Sequence, residues 1–254
     1  MEQKSKFPTE QIELPSKGLI YPSDSPLASG TIEMKYMTAK EEDILTNVNY
    51  INQNIVIDKL LQSLIISDVK YNDLLVGDAN SLLVAARILG YGKDYEFEYT
   101  DPDTGAKKDI VVDLTTLNPK PLDESLFVKG KNEFEFVLPS SKIPVTFKLL
   151  TQGDQKAIEK EMAGLKRINP KASTEITTRL KYMIVALNGD RSPATIREFV
   201  DNMLVRDSQA LRNYYNKISP DLELKFNYVK DNGDVVEGVN IPLNVSFLLP
   251  DTRS

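Results

Sequence analysis

The stretch LVGDANSLLVAARILGYGKDYEFEY, residues 75–99, decides the fold because it occurs twice in the chain. It returns as LVRDSQALRNYYNKISPDLELKFNY at residues 204–228. At one constant offset, the copies share an aspartate, a leucine and two aromatic residues: Asp78 and Asp207, Leu82 and Leu211, Phe97 and Phe226, Tyr99 and Tyr228. Self-similarity of this kind indicates a repeated structural unit.

The glycines of the first copy raise the question of a phosphate-binding loop, because free N–H groups at a helix start can bind anions. Gly77 is replaced by Arg206 in the second copy, where the Gly-Tyr-Gly of residues 90–92 has no glycine either. The features common to both copies are the aspartate and the apolar positions of a helix. We therefore predict that Asp78 and Asp207 are helix N-caps, and that the glycines are caps and turns.

The repetition continues upstream, where YMTAKEEDIL (residues 36–45) corresponds to LLTQGDQKAI (residues 149–158). Thr38 with Glu41 forms a capping-box pattern, and Thr151 with Asp154 forms a looser version, so both threonines are predicted N-caps. The next helix has an i, i+4, i+7, i+8 apolar stripe in both copies. Its members are Ile57, Leu61, Leu64 and Ile65, then Ile176, Leu180, Met183 and Ile184.

These matches predict an α+β protein with two internally duplicated repeats, each with a strand, helices and a β-hairpin. The predicted boundaries are an extended proline-rich arm at 1–30, a first repeat at 31–117, a linker at 118–132 and a second repeat at 133–254. Turn residues place one hairpin between 95–99 and 110–114, and another between 222–229 and 235–242. The second repeat adds a helix in SPATIREFVDNML, with Ser192 as N-cap and Pro193 at its first position.

Composition excludes several classes of site. The chain of 254 residues is 41% apolar and 27% charged, as in ordinary globular proteins. It has no histidine and no cysteine, so it cannot form Ser-His-Asp or Cys-His nucleophile systems and lacks the preferred zinc ligands. The net charge of −6 argues against a nucleic-acid binder. No apolar run approaches the roughly 18–20 residues of a membrane span, and no secretory signal is visible.

Two acidic motifs remain as candidates for chemistry. The sequence from Asp101 to Gly105 begins like a calcium loop, but the closing glutamate is missing, so a tight turn is the better interpretation. The pairs Glu41-Glu42 and Asp123-Glu124 are interpreted as solvated faces and helix-dipole partners rather than acid–base pairs. We therefore predict no catalytic, cofactor or metal site, and expect substitutions at Asp101, Asp103, Glu41 and Glu42 to be tolerated.

The adjacent Tyr214 and Tyr215 lie at helical spacing between Leu211 and Ile218. This position predicts packing in a core, while stacking on a nucleic-acid base is the less favoured alternative.

The N-terminal arm has prolines at positions 8, 15, 22 and 26, which prevent a helix there. Repeat matching predicts that Ile12–Leu14 lies beside the strand at 31–37, and that residues 15–30 form an enlarged connection. The arm is either a strap over its own domain or a partner-binding loop. We expect residues 18–26 to project or drape outward, with Leu19 and Tyr21 docking on another protein. The candidate partner-binding residues are Lys17, Gly18, Leu19, Ile20, Tyr21 and Pro22.

Several strings in the chain resemble the baseplate hub proteins of T-even-type contractile-tailed bacteriophages. They are LPSKGLIYP, PLASGTIEMKYMTAKEEDILTN, DKLL, DLLVGDANSLLVAARILGYGKDYEFEY and TIREFVDNML, and the resemblance covers most of the chain. It implies a non-enzymatic late protein of tail morphogenesis, with no catalytic residues to carry over. Some family members have a Cys-Pro-x-Cys turn where this chain has residues 101–104, so any metal held there in relatives is not expected here.

The resemblance leaves two roles open, a hub subunit that stays in the virion and an assembly chaperone that leaves it. In both roles, the expected partners are other baseplate and tail proteins, and the expected location is the tail baseplate, assembled in the host cytoplasm. Nucleic acid, membrane and small-molecule substrates are not expected. A carboxylate-based cell-wall hydrolase is the alternative from another class, but no carboxylate pair in the sequence stands out for it.

Overall fold

The computed structural model describes residues 8–101, 105–169, 173–230 and 233–249. The helices in these ranges are α1 Ala39–Leu45, α2 Val48–Asn52, α3 Val56–Leu64, α4 Val76–Tyr91, α5 Gln152–Ile168, α6 Glu175–Met183, α7 Pro193–Asp201 and α8 Val205–Ile218. The strands are β1 Thr9–Glu13, β2 Thr31–Lys35, β3 Asp94–Thr100, β4 Lys107–Asp113, β5 Phe134–Val137, β6 Pro144–Phe147, β7 Ile184–Leu187, β8 Lys225–Val229 and β9 Val235–Asn240. The predicted α+β class is confirmed.

The strands form small antiparallel sheets. The pairs are β1–β2, β3–β4 and β8–β9, and β7 joins β5–β6 in a three-stranded sheet. Ile12 lies opposite Ile32, which confirms the predicted pairing of the N-terminal segment with the strand that follows the loop. Both predicted hairpins are present, with Phe97 opposite Ile110 in the first and Phe226 opposite Val239 in the second.

The described residues before 118 (the first half) and after 132 (the second half) share an order of elements. Each half has two paired strands, helices and a terminal hairpin. The counterparts are β1 and β5, β2 and β6, α1 and α5, α3 and α6, α4 and α8, β3 and β8, β4 and β9. The first half adds α2, and the second adds β7 and α7. This correspondence supports the internal duplication, which stays a prediction.

The predicted helical stripe is wrong at its last position in both halves. Helix α3 ends at Leu64 and α6 ends at Met183, and the following isoleucines are extended. Ile65 bridges Met34 of β2, and Ile184 of β7 pairs with Phe147 of β6. The helices end there because these backbone groups pair with the edge of a neighbouring strand, which a stripe of apolar residues does not reveal.

A hydrophobic core extends through both halves. Its fully buried members include Leu60, Leu82, Phe147, Leu211 and Phe247. Tyr214 stacks on Phe136 with ring centroids 4.9 Å apart. Tyr215 accepts a hydrogen bond from the Leu150 backbone, so both tyrosines pack in the core as predicted.

Candidate functional site

The loop between β1 and β2 is folded onto its own half. Leu14 N–H donates to Gly30 O and closes the loop. Gly18 has φ +75°, and a Cβ added there would lie 2.7 Å from Ala28 O, so this close backbone approach requires glycine. Ile20 and Tyr21 are 3% and 4% exposed.

The expectation that Leu19 and Tyr21 dock on another protein is therefore wrong for Tyr21. Gly18, Ile20 and Tyr21 are buried against the same chain, because the loop closes on its own core. Lys17 and Pro22 are exposed, and Leu19 is half-buried. Among the candidate partner-binding residues, these three keep surface that a partner can reach.

Buried Asp78 ties this loop to α4. Its Oδ1 accepts from Ser16 N–H at 2.9 Å, and its Oδ2 accepts from Ser16 Oγ at 2.7 Å and from Tyr21 Oη at 2.5 Å. Tyr21 Oη in turn accepts from Leu75 N–H at 2.9 Å. Burial raises the pKa of Asp78 above its usual value although these hydrogen bonds oppose that rise.

Asp207 plays the corresponding part in the second half. Its two carboxylate oxygens accept from Ser140 N–H at 2.7 Å and from Ser141 N–H at 3.0 Å. Burial alone raises the pKa of Asp207, but hydrogen bonding by the backbone and side chains of Ser140 and Ser141 outweighs it and lowers the pKa. Each aspartate thus holds the loop between the first two strands of its half.

The prediction that Asp78 and Asp207 are N-caps is wrong. The N-cap positions belong to Leu75 and Leu204, and each aspartate is the third residue of its helix. Each carboxylate turns toward a distant loop because that loop offers N–H and O–H donors. An acid in the first turn still interacts favourably with the helix dipole.

Thr38 and Thr151 occupy N-cap positions, as predicted. Thr151 Oγ1 accepts from Asp154 N–H at 3.2 Å, and Asp154 Oδ2 accepts from Thr151 N–H at 3.1 Å. Glu41 Oε2 accepts from Thr38 N–H at 3.0 Å. A lysine three residues before each threonine completes the match, with Lys35 2.8 Å from Glu41 and Lys148 2.7 Å from Asp154.

The interpretation of Glu41 as a solvated residue is wrong. Its side chain is fully buried and accepts hydrogen bonds from Lys35, Ser63 and Thr38. Burial alone raises the pKa of Glu41, but these hydrogen bonds outweigh it and lower that pKa to about 2. Its neighbour Glu42 is exposed, as predicted. Glu41 therefore stays ionised as a structural anchor of α1.

The two halves meet where the segment before α4 pairs with the segment before α5. Val76 N–H donates to Leu150 O at 3.1 Å, and Gln152 N–H donates to Leu74 O at 2.7 Å. Leu75 and Thr151 form an isolated antiparallel bridge between these hydrogen bonds. We call these two segments, 74–76 and 150–152, the junction.

Close packing around Gly77 explains why a glycine stands near the start of the repeated stretch. A Cβ added there would lie 1.9 Å from Pro220 O, so the first turn of α4 touches the backbone after α8. Asn80 Nδ2 donates to Asp221 Oδ1 at 3.1 Å beside this contact. Glycine is required here for packing between the halves.

The two hairpins also pack on each other through corresponding residues. The rings of Phe97 and Phe226 have centroids 5.2 Å apart, and those of Tyr99 and Tyr228 are 5.0 Å apart. Asp101 lies at the hairpin turn, as predicted, since its N–H donates to Ala106 O and its O accepts from Gly105 N–H. Its Oδ2 also lies 3.2 Å from Lys230 Nζ and the residue is 5% exposed, while the tolerance of a substitution there stays a prediction. Asp103 lies outside the described residues.

The predicted linker follows both halves closely. Lys120 N–H donates to Asp221 O, and Glu223 N–H donates to Asn118 O, along the second half. Toward the first half, Gly130 N–H donates to Leu19 O at 2.7 Å. Lys17 Nζ lies 2.5 Å from Glu124 Oε1. The segment is thus packed against the chain, while the domain boundaries drawn from it stay a prediction.

Within the described ranges, no group of three or more acidic side chains is arranged to hold a metal ion. In the same ranges, no helix is long and apolar enough to cross a membrane.

The sequence interpretation missed the junction and the hydrogen bonds of Asp78. One signal pointed to them, because Gly77 differs from Arg206 at a position where the copies otherwise agree.

Comparison with known families gives a match over most of the chain. A family model described as T4 bacteriophage base plate protein matches residues 10–242, which include most of both halves and the junction. Comparisons with curated proteins and with solved structures gave no match. The match covers far more than half of the chain, and so the chain belongs to the T4 bacteriophage base plate protein family.

Proposed function

We propose that the chain is a non-enzymatic structural or assembly component of the baseplate hub, acting through protein–protein contacts in tail morphogenesis late in infection. The observation that carries the proposal is the base plate family match over residues 10–242. The resemblance of LPSKGLIYP and TIREFVDNML to hub proteins supports the hub as its place. Its partners are other baseplate and tail proteins, which it meets in the host cytoplasm.

The positions of the buried carboxylates favour this role over a cell-wall hydrolase. A glycosidase needs two carboxylates set roughly 5–10 Å apart across a cleft and free to act on a sugar. Glu41, Asp78 and Asp207 instead accept hydrogen bonds from backbone and side-chain donors of their own half. These groups hold loops and helix starts in place.

Quantitative mass spectrometry of purified particles and of hub intermediates tests the proposal. A hub subunit is present in particles at a fixed copy number. An assembly chaperone is absent from particles but present in intermediates, and its deletion stops hub formation. Absence from both, with normal tails after deletion of the gene, would overturn the proposal.

A further inference from the structure

The apolar segment Met203–Val205, at the start of α8, exposes Leu204 and Val205, although the corresponding leucine at the start of α4 is buried. Leu204 and Val205 are 54% and 78% exposed, whereas Leu75 is 2% exposed. The backbones of the two leucines match, with φ −60° and ψ 138° at Leu204, and φ −59° and ψ 150° at Leu75. The second half therefore presents the same kind of surface that the first half buries.

Within the molecule, the corresponding surface at the start of α4 is covered by a segment of the second half. At the junction, the buried segment forms two backbone hydrogen bonds with residues 150–152, which follow β6. The corresponding residues after β2 are Met37–Ala39, and Ala39 is exposed. A second copy of the chain therefore offers a match to the exposed segment.

The backbone groups needed for this pairing are available on both segments. By correspondence with the junction, Val205 N–H would donate to Met37 O, and Ala39 N–H would donate to Met203 O. None of these four groups has a hydrogen-bond partner in the parts of the chain that the structure describes. Exposed apolar residues beside unpaired backbone groups are typical of surfaces that pair with another chain.

Arg206 in place of Gly77 limits this pairing to the two segments, because a side chain at this position excludes the close backbone approach that Gly77 makes to Pro220. Gly77 touches Pro220, and the residue that corresponds to Pro220 in the first half is Tyr91. The Tyr91 hydroxyl donates to the exposed carboxylate of Glu42 at 3.4 Å. At the wider spacing that a side chain imposes, the exposed Arg206 would reach an aromatic ring and a negative charge, which complement a guanidinium group.

We propose that the chain associates with itself head to tail, with Met203–Val205 of one copy paired to Met37–Ala39 of the next. The contact is heterologous, because it joins different surfaces of the two copies, and so it builds rings or open chains. The inference rests on the proposed function, in that it names one partner of the assembly, and it takes the two halves as structural repeats.

Sedimentation velocity on the full chain from about 1 to 100 µM tests the proposal, because small interfaces associate weakly. The wild-type protein should form species larger than its 28.6 kDa monomer. Val205→Glu and Ala39→Glu should each raise the concentration for half-association at least tenfold. Both positions are exposed first residues of helices, where glutamate is compatible with folding.

An equimolar mixture of the two variants gives the sharpest result. Each variant keeps one intact surface, so the mixture should form a dimer and nothing larger. Val48→Glu is the matched control, because Val48 is also the exposed first residue of a helix, and this variant should associate like the wild type.

A wild-type protein that stays monomeric over the whole range would overturn the proposal and would leave the exposed segment to a different baseplate protein. A mixture that does not form dimers would also overturn it, because the contact would then not be heterologous. Either result leaves the mass-spectrometric test of the proposed function untouched, so the two failures are distinguishable.

Discussion

The two halves of the molecule place corresponding aspartates in different surroundings. Asp78 accepts hydrogen bonds from a serine hydroxyl, a tyrosine hydroxyl and a backbone N–H, all of them buried. Asp207 accepts from two backbone N–H groups of a loop whose Ser140 is exposed and whose Ser141 is half-buried. Both halves have this aspartate, but its contribution to the free energy of unfolding depends on how deeply its hydrogen-bond donors are buried.

The two helix starts differ in what lies against them. The start of α4 is buried by the second half at the junction, whereas Leu204 and Val205 at the start of α8 are exposed in the part of the chain that the structure describes. The residues at the corresponding positions, Gly77 and Arg206, differ accordingly. Glycine is needed only in α4, where the backbone of Pro220 touches the helix. A repeated sequence can thus keep its local structure while its surface is adapted to different neighbours.

The largest expected effect is the loss of stability when the two corresponding aspartates are replaced. Asp78→Ala leaves the buried Ser16 and Tyr21 donors without an acceptor, and should lower the free energy of unfolding by about 3–5 kcal/mol. Asp207→Ala should cost about 1–2 kcal/mol, because the freed N–H groups belong to a loop whose serines are less buried than Ser16 and Tyr21. Urea unfolding of both variants measures the difference, and equal losses would contradict this account.

The second prediction concerns the glycine at the junction. Alanine normally stabilises a helix relative to glycine by about 1 kcal/mol. At Gly77 the added methyl group would instead meet Pro220 O at 1.9 Å, so Gly77→Ala should destabilise the protein by about 2–4 kcal/mol. Arg206→Ala, at the corresponding exposed position, should change stability by less than about 0.5 kcal/mol. Thermal unfolding compares the two, and a stabilised Gly77→Ala variant would refute the close contact.

How much of this could be predicted from the sequence depends on the range of each contact. Thr38 and Thr151 were found because a capping box is complete within four residues. The hairpins were found because strand alternation and turn residues are also local signals. The same local signals gave the pairing of β1 with β2, once the two copies were aligned.

The errors all involve contacts between distant parts of the chain. Asp78 binds Ser16 and Tyr21, which lie far away in sequence, and no local pattern identifies them. Glu41 is buried because Ser63 of α3 and Lys35 of β2 converge on it. The junction needs both halves in place before any of its hydrogen bonds exists. Local propensity is silent on such contacts, since tertiary packing decides them.

The third prediction uses the pair Glu41 and Glu42 to separate a buried from an exposed carboxylate. The pKa of Glu41 is lowered from 4.5 to about 2, so its ionised form stabilises the fold above pH 4.5. Glu41→Gln should therefore cost about 2–3 kcal/mol at pH 7. The loss should shrink as the pH falls from 4.5 toward 2, because the wild type loses the same contribution there. Glu42→Gln is the control and should be near neutral, and a constant loss at Glu41 across this pH range would contradict the assignment.

The smallest expected effect sharpens the comparison of the two aspartates, because their pKa values shift in opposite directions. The pKa of Asp207 is lowered, so its contribution to stability is present above the usual value of 3.8 and is lost as the pH falls. The pKa of Asp78 is raised, so its contribution is fully present below 3.8 and is lost as the pH rises through the folded-state pKa.

Asp207→Asn should therefore become less destabilising, relative to the wild type, as the pH is lowered from 7 to 3. Asp78→Asn should become more destabilising over the same interval, because protonation relieves the wild-type protein of a buried charge. Urea unfolding at several pH values measures both trends, and the pH-independent loss of donors and acceptors cancels within each series. Parallel trends for the two variants would show that the aspartates have equivalent surroundings, and would remove the electrostatic difference between the halves.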